Sequence, residues 1–285
     1  HSVVMSDEIE TNLMELNYEL NNWNIDNALN LAERFQKSLS ILCSNNEAKY
    51  IGALLLLSRI YINNASENEE NKKDYIKHAS LYLDQVAKML ENNPNSALEG
   101  TIYSLRGYII NIVEGADAAL TYLSDHTEPY AIRLKLSLLL SANEFEKALD
   151  LIAGRPYNHI WCDIAVAVYV QGNRVDDAMK LIEWVKFQKD EAKYMQCVVR
   201  FASTSFSYTL SRFDKGEEIG PKDISNRETE ALLLIKETLQ SVVDSIVTTG
   251  KLDSNLAAAV LDIAWIVNYL LDQIEEVKKI ATILQ

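Results

Sequence analysis

Phe145-Glu146-Lys147-Ala148-Leu149-Asp150-Leu151 returns in kind as Val175-Asp176-Asp177-Ala178-Met179-Lys180-Leu181, and Gly115-Ala116-Asp117-Ala118-Ala119-Leu120 precedes both. Each is a turn, then an acidic or polar pair, an alanine and the start of an apolar-periodic helix. The alanines Ala118, Ala148 and Ala178 are 30 residues apart each time. An earlier stretch, Ile25-Asp26-Asn27-Ala28-Leu29-Asn30-Leu31, has the same texture. A fixed period of this length is the mark of one helical hairpin used repeatedly. Alanine suits the position because two helices joined by a tight turn approach most closely beside it, where only a small side chain lets their backbones meet.

Outward from these stretches, apolar positions recur at three-to-four spacing almost everywhere and strict alternation is rare. The pattern predicts helices over 7–21, 25–43, 47–62, 74–92, 96–113, 116–124, 130–141, 145–153, 157–171, 175–187, 190–211, 223–248 and 254–283, the last broken near Asp272. Asn63-Asn64, Asn93-Pro94, Gly154-Arg155-Pro156, Gly172-Asn173 and Gly250 supply turn residues between them. Nine glycines and four prolines in 285 residues leave too few tight turns for a sandwich or barrel, and 48% hydrophobic residues is too many for a disordered chain. The predicted class is all-α.

Trp161, Ile164, Ala165 and Ala167, followed by Gln171-Gly172-Asn173, Asp176, Ala178 and Ile182, resemble the signature of the tetratricopeptide repeat family, with one residue added in the turn. Tyr103 with Gly107 and Ala118 gives a second, weaker match, and Leu134, Leu138, Phe145 and Ala148 a third. Asn93-Pro94-Asn95-Ser96-Ala97 is similar to the proline-containing join between consecutive repeats. The likeness covers roughly residues 13–185. Most copies depart from it in lacking the first aromatic and in their short period, features shared with related helical-pair solenoids. The resemblance implies a right-handed α-solenoid of antiparallel helical hairpins, about five in number, with an end unit covering the last apolar face.

On that basis residues 6–211 form the repeats, 212–225 a linker or loop, and 226–285 a C-terminal helical unit that caps the solenoid. Asn63 to Asp74, polar and low in complexity, is expected to be a mobile loop. His1-Ser2-Val3-Val4-Met5 reads as a tag remnant before a native start at Met5. The still-periodic end, Ile280 to Gln285, carries no stop residue, as expected of a chain truncated from a longer protein.

Charge and motifs exclude more than they identify. With 27 basic and 41 acidic residues the net charge is −14, which repels nucleic acid and anionic lipid. No stretch is apolar for long enough to insert into a membrane. Cys43, Cys162 and Cys197 are odd in number and widely spaced, so a reduced compartment and a cytoplasmic location are expected. No phosphate loop, dinucleotide turn, zinc-protease helix or nucleophile elbow occurs, and an enzyme and a bound cofactor are not expected. His159, Cys162 and Asp163 would share one helix face at spacings suited to a metal or a thiolate–imidazole pair, yet no second cluster exists to complete a site.

The resemblance implies that the first helix of each hairpin lines a concave surface. The inward positions are then Ser104, Tyr108 and Asn111; Ile132, Arg133 and Leu136; and His159, Cys162, Asp163, Val166 and Tyr169. Such a mixed surface suits an extended segment or helix held by apolar and hydrogen-bonding contacts, with a basic or amphipathic partner favoured by the overall charge. The function expected is a non-enzymatic interaction module or scaffold. The alternatives are a subunit of a larger assembly, such as a vesicle coat, and a regulatory or sensor domain of a longer signalling or defence protein.

Overall fold

A computed structural model describes residues 2–285, with no description of the side chains of 2–7 and Asn45. His1 of the expected tag remnant lies outside the described residues. Among the described residues the regular structure is entirely helical. The chain divides into two compact units, His1–Leu138 and Leu139–Gln285. The division falls inside a helix, and not at residues 212–225.

The first unit contains α1 (Ser2–Asn21), α2 (Ile25–Phe35), α3 (Leu39–Asn45), α4 (Glu47–Glu67), α5 (Lys72–Asn92), α6 (Ser96–Glu114), α7 (Ala116–Tyr122) and most of α8 (Pro129–Ser141). Chain neighbours pack as pairs, α1 with α2, α4 with α5 and α6 with α7, and α4 also touches α1 and α6. Leu16, Ala28, Leu54, Leu57, Ile60, Leu83 and Val86 are fully buried in one core. Each large aliphatic side chain among them contributes about 1.5–3 kcal/mol.

The expected loop at 63–74 is mostly helix, because α4 runs to Glu67 and only four residues separate it from α5. Asn64 is buried, and its amide donates to the carbonyl of Ile60 at 2.8 Å, so a residue that reads as a turn former is satisfied inside the helix.

The second unit contains α9 (Phe145–Ile152), α10 (Cys162–Gln171), α11 (Val175–Phe187), α12 (Glu191–Thr209), the short α13 (Ser211–Asp214), α14 (Asn226–Thr249), α15 (Asn255–Leu270) and α16 (Ile274–Leu284). Helix α12 packs on α10, α11, α14 and α15. The segment read as a linker is tied down: Arg212 donates to the Asp223 carbonyl at 2.8 Å and to Glu228 at 3.0 Å, and Ile219 is buried. Ser225 and Glu228 then start α14 with a reciprocal capping box. Asn46, Asn95, Asp190 and Ser254 cap α4, α6, α12 and α15, each side chain accepting a backbone N–H three residues on.

Four hairpin turns share one geometry. Trp23, Asn143, Asn173 and Asp272 are left-handed, with φ of 64°, 59°, 59° and 60°. The following N–H groups of Asn24, Glu144, Arg174 and Gln273 reach back to the carbonyls of Glu19, Leu139, Tyr169 and Asn268 at 2.7–2.9 Å. This is the Schellman closure that satisfies orphan carbonyls at a helix end, and it breaks the last predicted helix at Asp272. The alanine four residues after the N-cap is fully buried in three turns, at Ala28, Ala148 and Ala178. In the shorter turn at Gly115, which has φ of 101°, the matching buried alanine is Ala119, while Ala118 is half-buried. The 30-residue register is therefore one residue off at that copy.

Candidate functional site

The first unit carries a groove of about 400 Å³ on the first helices of its three pairs. Leu13 and Asn17 of α1, Lys49, Gly52, Leu55, Leu56 and Arg59 of α4, Thr101 and Leu105 of α6, and Tyr130 of α8 line it. Positions 52, 55, 56 and 59 recur at three-to-four spacing, which puts them on one face of α4. Gly52 faces open space, with no atom within 4 Å of where a Cβ would sit. The Arg59 guanidinium lies 5.3 Å from the Tyr130 ring centroid, a cation–π contact that holds a half-buried cation at the groove. Lys49 is ion-paired with Glu10 of α1. An apolar floor and a few polar groups at the edge can hold side chains of a protein segment and fix its orientation.

The ten residues expected to meet a partner do not line this groove. Ser104, Ile132, Leu136, Asp163 and Val166 are at most 1% exposed, so their side chains are consumed by the chain's own packing. The hydroxyl of Ser104 donates to the Gly100 carbonyl at 2.9 Å. Tyr108, Asn111, Arg133 and Tyr169 are half-buried, and Arg174 sits over the Tyr169 ring at 5.7 Å. On α6 the groove is met by Thr101, which is half-buried, and by the edge of Leu105, which is otherwise packed in the core. The sequence signal for the groove was Gly52 and Arg59 bracketing the apolar run Ala53 to Leu57.

His159, Cys162 and Asp163 do not share a helix face. Helix α10 begins only at Cys162, leaving His159 exposed in the turn before it. Only the His159 carbonyl meets the cysteine, accepting from its thiol at 3.3 Å. Asp163 is buried on α10 and faces α12, 3.6 Å from the Lys193 ammonium and 4.0 Å from Nε of Arg200. Cys197, also of α12, lies 3.7 Å from Cys162, sulfur to sulfur. Hydrogen bonding to Cys162 and then burial push the Cys197 thiol well above its ordinary range. Among the described residues no group of three His, Cys, Asp or Glu side chains is placed to hold a metal ion. No helix among them is long and apolar enough to cross a membrane.

Compared with protein-family models, curated proteins and solved structures, the chain finds no match in any of the three.

Proposed function

We propose that the chain is a non-enzymatic interaction module that holds an amphipathic protein segment in the groove on α1, α4 and α6. The helical-pair texture of its sequence supports a tetratricopeptide-like solenoid. The observation that carries the functional reading is the groove itself, with half-buried Leu13 and Leu55 above the core residues Leu56 and Leu105 and cleared space at Gly52. Leucines at a surface cleft favour a partner that brings apolar side chains.

The net charge of −14 favours a basic partner at long range, but that charge is dispersed and screened beyond about 8–10 Å at physiological salt. Within the groove the nearest charged group without a carboxylate partner among the described residues is Arg59, so a hydrogen-bond acceptor at that end fits. Amphipathic character, rather than net basicity, is the property selected.

Random-peptide display against the whole chain, with counter-selection on the variant Gly52→Trp, tests this reading. Enriched peptides should carry two or more apolar residues and should bind the variant at least tenfold more weakly. Failure to enrich any peptide, or equal binding to the variant, overturns it. A second reading, a fixed subunit of a larger assembly, rests on the exposed Met14 and Phe187, each 72% exposed. That role predicts peptide binding indifferent to Gly52 and loss of assembly when Met14 or Phe187 becomes serine.

A further inference from the structure

We propose that Cys162 and Cys197 are a redox pair that closes into a disulfide, stapling α10 to α12. The two sulfurs stand 3.7 Å apart, already in hydrogen-bonding contact, on two helices that pack directly against each other. A disulfide has a sulfur–sulfur length of about 2.05 Å, so the pair must close by about 1.7 Å. Both side chains are 0% exposed, which keeps the pair from larger thiols and disulfides and leaves small oxidants as its reagent.

The surroundings favour an ordered sequence. Cys162 opens α10, and the residues immediately before it form a turn without regular structure whose His159 is exposed. Local opening of that turn uncovers Cys162 first, while Cys197, in the middle of α12, stays enclosed. Lys193 and Arg200 lie one helical turn to either side of Cys197 and hold Asp163, so they fix the facing surfaces of α10 and α12. The place of Cys162 at the helix end, beside the turn that opens, gives it the attacking role, and Cys197, enclosed in mid-helix, the resolving one.

With hydrogen peroxide as oxidant, the Cys162 thiolate attacks the peroxide. A sulfur–oxygen bond forms, the oxygen–oxygen bond breaks, and the hydroxide that leaves takes up the proton released by the Cys162 thiol, as the first water. The sulfur of Cys197 then attacks the resulting sulfenic acid. The sulfur–sulfur bond forms, the sulfur–oxygen bond breaks, and the departing hydroxide takes up the Cys197 proton as water. Two thiols lose two electrons in total and the peroxide is reduced to two waters.

The test uses the whole chain with Cys43→Ser, which removes the exposed thiol. After a brief exposure to peroxide, remaining thiols are blocked with N-ethylmaleimide under denaturing conditions and the peptides are read by mass spectrometry. The expected product is a peptide linking Cys162 to Cys197, lost on dithiothreitol treatment, with Tm about 5–10 °C above the reduced form. Recovery of both cysteines blocked, or of Cys162 as sulfinic acid beside a free Cys197, overturns the proposal. A Cys197→Ser variant in the same background should stop at the sulfenic acid, trapped by dimedone. Its absence there also counts against the assignment of roles, whereas the linkage measurement needs no substitution of either partner.

Discussion

Leu149 Cδ1 stands 2.9 Å from the point where a Cβ on Gly172 would sit, so α9 and the end of α10 meet there in a contact that one more carbon would force to shift. The Val168 carbonyl, 3.2 Å from the same point, closes the other side. Gly172→Ala should therefore cost about 1–3 kcal/mol through overpacking. Gly52 lies inside α4 with open space around it, and Gly52→Ala should stabilise by about 0.5–1 kcal/mol through helix propensity. Urea denaturation of the two variants should move the midpoint in opposite directions.

Lys189 sits between α11 and α12 with φ of 60°, a left-handed conformation that costs a residue bearing a Cβ about 1–2 kcal/mol. Its side chain is exposed. Lys189→Gly is expected to raise stability by about 1 kcal/mol in thermal unfolding, and Lys189→Val to lower it.

Asp163 is a buried carboxylate held by two cations of α12, and Lys193 is itself only 15% exposed. Asp163→Leu removes the counter-charge and leaves the ammonium beside an apolar surface, at a cost of about 2–4 kcal/mol. The double variant Asp163→Leu with Lys193→Met should recover part of that loss. A double variant no more stable than Asp163→Leu alone shows that the ion pair is not the cause.

The first unit should unfold in alkali. Burial raises Tyr82 and Tyr122 from 10.0 to about 12 each, and raises Tyr61, whose hydroxyl accepts from Gln36 at 2.6 Å, further still. These phenols are held neutral by the fold, so their stabilisation is complete below pH 10 and is lost as pH rises through about 12. Circular dichroism should show no loss near neutrality and a steep one between those values. Tyr61→Phe, which keeps the ring and removes the ionising group, should shift the transition upward.

Sequence periodicity located nearly every helix, and turn chemistry located most of their ends. Asp272 shows why: an acidic residue after an apolar helix both tolerates the left-handed conformation and exposes its side chain. Composition misled at Asn64, whose amide is satisfied by its own helix, and at His159, where apolar neighbours suggested a helix that starts three residues later. The burial of Ser104, Ile132, Leu136, Asp163 and Val166 was not legible, because a register read from small-residue spacing tolerates a one-residue error, and one residue turns a helix by about 100°. On α6 both Ser104 and Leu105 are packed in the core, and only Thr101 of the groove-lining residues there keeps a half-buried side chain. Neither the Cys162–Cys197 approach nor the burial of Asp163 against Lys193 is visible in spacing, since both depend on which helices become neighbours.

Photo-crosslinking from the groove is the most direct measurement. Benzoylphenylalanine in place of Thr101, which lines the groove, should crosslink a display-selected peptide, and the crosslink should be abolished by Gly52→Trp. The same probe in place of Lys88, exposed on α5, should give none. Equal crosslinking from both positions, or crosslinking at Thr101 that survives Gly52→Trp, would contradict binding in the groove.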